Sequence, residues 1–299
     1  MMTEDASSLR GGGPRADGLA ASPGSEPGLA LSDRATAKVL GAPPWHYAGT
    51  VVGVEFWTTP EAAARALPPA LAPEDTRGAG HGYALFADWQ VSGGHREYLD
   101  PVRSQYSEFL VLLDARWQDT SVAWCPYLYV DNDAALARGC FQGFPRKLGG
   151  MHQRLGRVYQ TRAFPVAGQA APSVAAGGTF AASARVAGRR LAEAAVTLER
   201  PVGELPGLEH PVVNLTHFPG RGGDRRLAEA VGQAPGGAVV EDLRVAECWT
   251  GGGTLSFLPV AGEELADLVV VRTGEGFRGS LSYTVTDLAA PTGPDADAG

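Results

Sequence analysis

At 299 residues the chain can hold one large domain or two small ones, and either buries a full core. Its 40 glycines and 22 prolines favour many short elements joined by turns, and a net charge of −8 with scattered arginines argues against a nucleic-acid or membrane-surface partner. No apolar run reaches the roughly 18–20 residues of a membrane helix, no basic-then-apolar start marks a secretory signal, and three cysteines without metal or redox spacing read as reduced thiols, so a cytoplasmic protein is expected.

Residues 1–40 are rich in Gly, Ala, Ser and Pro without periodicity, which predicts a disordered segment; a single domain is expected over 41–289 and a disordered polar tail over 290–299. Residues 50–57 are β-branched and aromatic, as in a strand. Residues 60–67 read as a short helix capped by Thr59, with Pro60 at its first position and Pro68-Pro69 as its stop. Strands follow at 83–91, around the apolar run 109–113 and at 121–130. Asp131-Asn132-Asp133 is a turn, and 134–138 form at most a short helix. Further strands are expected at 152–164, 178–186, 212–218, 239–249, 254–258 and 268–272. Residues 189–198 stay ambiguous, being Ala-rich like a helix but placed between strands. The clearest pattern comes last: Leu281, Tyr283 and Val285 alternate with Ser280, Ser282, Thr284 and Thr286, the period of a half-buried antiparallel strand. Many strands without regular strand–helix alternation predict a mainly β (α+β) fold, an antiparallel barrel or sandwich with a few short helices.

No zinc, calcium or hydrolase-elbow motif is present and the six histidines are dispersed, so no metal is expected. The run Gly251-Gly252-Gly253-Thr254 lacks the lysine of a phosphate loop and reads as a tight turn between strands. The informative stretch is Gly143-Phe144-Pro145-Arg146-Lys147-Leu148. Of 25 basic residues only Lys38 and Lys147 are lysine, so a chain that otherwise uses arginine keeps an amine here. Only an amine can shed its proton, attack a ketone and become an imine. An ordinary lysine, with a pKa of ~10.4, is charged at neutral pH, so a nucleophilic one needs burial or a neighbouring cation such as Arg146. A surface lysine at a strand end is the plain alternative. Glu108, within Tyr106-Ser107-Glu108-Phe109, is a carboxylate in an aromatic setting, suited to proton transfer.

Over about residues 45–288 these stretches resemble the acetoacetate decarboxylase-like family. The matching segments are Leu67-Pro68-Pro69-Ala70-Leu71, then Gln105-Tyr106 with Glu108, then Val130-Asp131-Asn132-Asp133 followed by Ala137-Arg138-Gly139 and the lysine stretch, and finally Glu247-Cys248-Trp249-Thr250-Gly251. The resemblance implies a cone-like antiparallel β-barrel, assembled as a homo-oligomer, that holds a keto acid as a lysine Schiff base and needs no cofactor. It implies Lys147, Glu108 and Arg146 as catalytic residues, with Arg103, Tyr106, Phe144 and Trp249 against the substrate. The sequence also departs from the family. Arg146 stands where the decarboxylases place the imine-forming lysine, so Lys147 is the amine left to do it. Asp88 is the nearest acid to a second family carboxylate, and no arginine stands near Gly49, where the family binds the substrate carboxylate; Arg103 and Arg146 are the candidates to replace it.

Three readings follow. The first is an imine-forming lyase through Lys147, with decarboxylation or aldol, dehydration or cyclisation chemistry on a larger keto acid. The second is a barrel that works without an imine, Glu108 moving protons and Arg146 binding an anion. The third is a non-catalytic barrel that binds a small molecule.

Overall fold

The computed structural model describes residues 43–93, 96–142, 144, 146–148, 157–166, 168–207, 209–213 and 238–288. The expected disordered ends, Lys38 and parts of the expected strands at 152–164 and 212–218 lie outside these residues. In chain order the elements are β1 (Trp45–Trp57), α1 (Pro60–Ala66), β2 (Ala72–Pro73), β3 (His81–Ser92), α2 (Pro101–Ser104), β4 (Gln105–Trp117), β5 (Thr120–Val130), α3 (Asp133–Phe141), β6 (Arg146–Leu148), β7 (Val158–Gln160), β8 (Thr179–Val186), β9 (Arg189–Pro201), β10 (Val212–Val213), β11 (Ala238–Phe257) and β12 (Arg272–Leu288).

All twelve strands join one sheet, ordered β10-β5-β4-β3-β1-β12-β11-β9-β8-β7, with β2 on β4 and β6 on β5. The pairs are antiparallel except for β10 and β6, which both run parallel to β5. The fold is thus mainly β, as the sequence predicts. Thr59 caps α1, its hydroxyl accepting from the Ala62 N–H at 3.2 Å. The ambiguous 189–198 lies in β9: its pairing on both edges overrides the helical preference of its alanines.

Both faces of the sheet are covered, which is why β3, β4 and β5 read as nearly continuous apolar runs. One face gathers Val52, Val54, Phe56, Phe86, Phe109, Val111 and Tyr129 with Phe180, Val196 and Leu198 of β8 and β9. Rings meet across it: Phe257 of β11 lies 5.3 Å from Phe56 and 6.4 Å from Phe109. β4 and β11 are not neighbours in the sheet, so the sheet curls around this face and makes it the interior. The other face carries Tyr47, Leu85, Trp89, Tyr106, Leu128, Phe277, Leu281 and Val285, under Ala135 and Leu136 of α3 and under Leu205. Leu281 and Val285 are buried there with Tyr283 packed against them, as the alternation in β12 requires.

Two local expectations are corrected. The glycine run 251–253 is not a turn: β11 passes straight through it, merging the expected strands 239–249 and 254–258. Other backbone approaches too closely for side chains there. A Cβ on Gly251 would land on the Thr197 carbonyl oxygen, and one on Gly253 would lie 2.8 Å from the Gly276 nitrogen. Nor does a strand run through 268–272. Leu268 closes a 3₁₀ turn by donating its N–H to the Leu265 carbonyl at 3.0 Å, and both leucines plug the interior.

Candidate active site

The strand that carries Lys147 is three residues long and is held by its neighbours. Asn132 Oδ1 accepts from the Ala135 N–H at 3.0 Å and caps α3; the Phe144 N–H then donates to the Gly139 carbonyl at 2.9 Å and turns the chain towards β6. Parallel pairing sets position 146 opposite Leu128, Lys147 opposite Tyr129 and position 148 opposite Val130. Lys147 therefore shares a strand level with Tyr129, which belongs to the interior face.

Its Nζ lies 3.1 Å from Glu263 Oε2. The Tyr129 hydroxyl donates to the same oxygen at 2.6 Å, and Nζ is 6.0 Å from the Tyr129 ring centre. Glu263 follows Gly262, whose φ of +83° is natural only to glycine, and its N–H donates to the Val260 carbonyl at 3.0 Å. That turn aims the carboxylate at the amine, while Leu265 and Leu268 anchor it from below. Burial, reinforced by the Glu263 carboxylate, pushes the Tyr129 hydroxyl well above the usual phenol range, so it stays protonated and keeps donating. Lys147 itself is half exposed, so the burial expected of a nucleophilic lysine is not found, whereas Tyr129 is buried. The group is an amine with a proton acceptor in contact, set at the edge of an apolar interior.

Glu108 is elsewhere. It pairs with Ala87 and Val130, one position off the row of Phe109 and Tyr129, and so lies on the outer face. It is buried, and Trp89 Nε1 donates to its Oε1 at 3.3 Å. Tyr106 lies on that face too, with the Arg138 guanidinium 5.6 Å from its ring centre, and Phe144 packs there. Trp249 packs against the interior, and Arg103 is exposed, 3.7 Å from Asp100. The side chain of Arg146 lies outside the described residues. Asp88 accepts from the Ser107 hydroxyl at 2.7 Å. The structure therefore brings Lys147 together with Tyr129 and Glu263, not with Glu108. Tyr127 and Tyr129 show in the sequence only as alternating aromatics of the kind that line any wall; Glu263 stands in a loop without a motif, and no local signal points to it.

The interior row continues past Tyr129. The register links Tyr129 to Phe109, Phe109 to Phe86, Phe86 to Val52, Val52 to Arg278, and Arg278 to Trp249. Arg278 is thus a buried guanidinium on the same face and level as Lys147.

The acetoacetate decarboxylase (ADC) profile matches residues 30–290. The chain belongs to the acetoacetate decarboxylase family. Among solved structures, the enduracididine biosynthesis enzyme MppR complexed with pyruvate is 32% identical, covering 90% of this chain and 98% of that one with a TM-score of 0.76. The same enzyme complexed with the condensation product of pyruvate and imidazole 4-carboxaldehyde is also 32% identical, with the same TM-score and coverage of 89% and 98%. An acetoacetate decarboxylase-like enzyme from Sphingomonas wittichii RW1 is 18% identical, with coverage of 85% and 94% and a TM-score of 0.70, and shares the fold. No curated protein matches the sequence. The protein is an enzyme of the ADC-like family.

Proposed function

We propose that this enzyme is a cofactor-independent lyase that holds a keto acid as an imine on Lys147, with Glu263 carrying protons. The observation behind this reading is the contact of one Glu263 oxygen with both the Lys147 amine, at 3.1 Å, and the Tyr129 hydroxyl, at 2.6 Å. The amine gives a proton to Glu263 and attacks the keto carbon. The resulting carbinolamine loses its hydroxyl as water, with Glu263 returning the proton. The iminium then serves as the electron sink, a task for which other enzymes recruit a cofactor. Loss of CO₂, or of a proton from the neighbouring carbon, gives an enamine. That enamine is either protonated or adds to an aldehyde, and water releases the product. The MppR complexes with pyruvate and with a pyruvate condensation product favour the aldol branch with a pyruvate-like keto acid. Homo-oligomeric assembly and a cytoplasmic location form part of this reading; light scattering that shows only monomer at micromolar concentration would contradict the first.

The test is intact mass after borohydride reduction with pyruvate and a panel of larger keto acids. An adduct that disappears in Lys147→Ala supports the reading, and an adduct kept in that variant overturns it. A second reading rests on Glu108, a buried carboxylate against Trp89 on the other face, acting by acid–base chemistry without an imine. Turnover of a keto acid that survives Lys147→Ala but falls about 10²-fold in Glu108→Gln would select it.

A further inference from the structure

Arg278 is a buried charge that the imine chemistry at Lys147 leaves unused. Its side chain is only 4% exposed. The guanidinium carbon sits 4.8 Å from the centre of the Phe180 ring. Phe180 belongs to β8, which β9 and β11 separate from β12, so this contact crosses the interior. The Nε and Nη1 groups of Arg278 find no hydrogen-bond acceptor among the described residues. A carboxylate oxygen, Glu247 Oε2, approaches Nη1 only to 3.8 Å and belongs to an exposed side chain. Burial pushes the guanidinium pKa down, but from so high a starting point that the group stays charged at neutral pH.

A guanidinium held this way is costly to the fold. Phe180 offers it only the face of a ring, and an apolar residue of similar volume would pack there without leaving N–H groups unmatched. What would satisfy it is an anion of small size entering the interior. Trp249 lies beside it in the same row, and the curl of the sheet turns that row, with Lys147 at its far end, around the interior. Arg103, by contrast, is exposed and faces Asp100.

We propose that Arg278 binds the carboxylate of the keto acid, making this site specific for substrates that carry one on the interior side of the carbonyl. The proposal rests on the Lys147 reading for the place of the ketone, but not for the carboxylate contact itself. Two measurements separate the two ideas. The first is equilibrium binding of pyruvate by calorimetry to Lys147→Ala protein, which cannot form the imine, with and without Arg278→Met. The second is borohydride trapping of pyruvate and of acetone, its neutral counterpart, on the parent protein and on Arg278→Met.

Arg278→Met should weaken pyruvate binding about 10-fold or more and raise the pyruvate concentration needed for half-trapping by a similar factor, leaving acetone trapping unchanged. Loss of pyruvate binding on removing Arg278 from Lys147→Ala protein, together with no adduct on the parent protein, upholds Arg278 and defeats the imine reading. Unchanged pyruvate binding and trapping in a folded Arg278→Met protein overturns Arg278 and leaves the imine standing. Failure of the parent protein to bind pyruvate or any larger keto acid at millimolar concentration overturns Arg278 as well. Should Arg278→Met not fold, Arg278→Gln removes the same charge and is read by the same criteria.

Discussion

The Lys147 group and a second cluster of charges lie on opposite faces of one sheet, and their chemistry differs in what each leaves available. On the outer face His81 is buried, its Nδ1–H donating to Asp114 Oδ2 at 2.6 Å and its Nε2–H to Glu55 Oε1 at 3.0 Å. Trp57 and Tyr83 enclose the ring at 4.9 and 5.1 Å. Both carboxylates only accept, so both ring nitrogens donate and His81 is an imidazolium with its donors used up. Among the described residues Lys147 holds one carboxylate; it is half exposed and rides on a strand of three residues. A fully matched, enclosed charge cluster holds strands together. An amine with an exchangeable partner at the edge of an apolar interior is the group we propose for substrate binding. Strength of ion pairing alone would rank the two the other way.

Damage to the outer cluster should have the largest effect. Asp114→Ala leaves a buried imidazolium with one partner, and should cost about 3 kcal/mol or more by urea denaturation. Below the unfolding transition the variant should form the Lys147 adduct at the parent rate. A large loss of adduct in a folded Asp114→Ala protein would mean that the two clusters are coupled. Glu263→Gln should do the opposite. It keeps the shape and removes the proton acceptor, so adduct formation with pyruvate should slow about 10²-fold while the melting temperature hardly moves.

Around neutrality the pH dependence of stability should report the outer cluster through His81. Burial by itself would lower the His81 pKa, but hydrogen bonds and charge from Asp114 and Glu55 outweigh it and raise it. A raised folded value means that the stabilisation is complete below the ordinary histidine pKa of ~6.5 and is lost as pH climbs through the folded value. Glu55 shifts the other way: burial opposes the change, but the His81 hydrogen bond prevails and lowers its pKa. Its contribution is present above the ordinary carboxylate range and fades as pH falls through the lowered value. Melting temperatures should therefore decline on the alkaline side of neutrality, and Asp114→Ala should flatten that decline. A smaller effect is expected from Arg103→Ala. The exposed pair with Asp100 at 3.7 Å should change stability by no more than ~0.5 kcal/mol and leave the adduct rate alone.

The sequence conveys the fold better than the site. The alternation in β12 and the cap at Thr59 are local signals, and each is matched by the structure. The family resemblance rests on segments that stay in order along the chain. The glycine run in β11 misleads because its reason is the neighbouring backbone at Thr197 and Gly276, far away in sequence. The site is harder to read for a similar reason. Glu108 and Lys147 both carry a chemical signal, but a shift of one position along β4 and β5 puts them on opposite faces. Glu263 and Arg278 reach the interior only through a turn and a strand pairing that no window of sequence contains.

Lys147 is the reactive amine we propose, and the scarcity of lysine makes that directly measurable. With only Lys38 and Lys147 available besides the chain's amino terminus, borohydride reduction in the presence of pyruvate or a larger keto acid, followed by proteolysis and mass mapping, assigns any adduct without ambiguity. One adduct is expected, on the peptide that contains Lys147 and absent from Lys147→Ala. An adduct confined to Lys38 or the amino terminus, or none across the whole panel, would contradict that expectation.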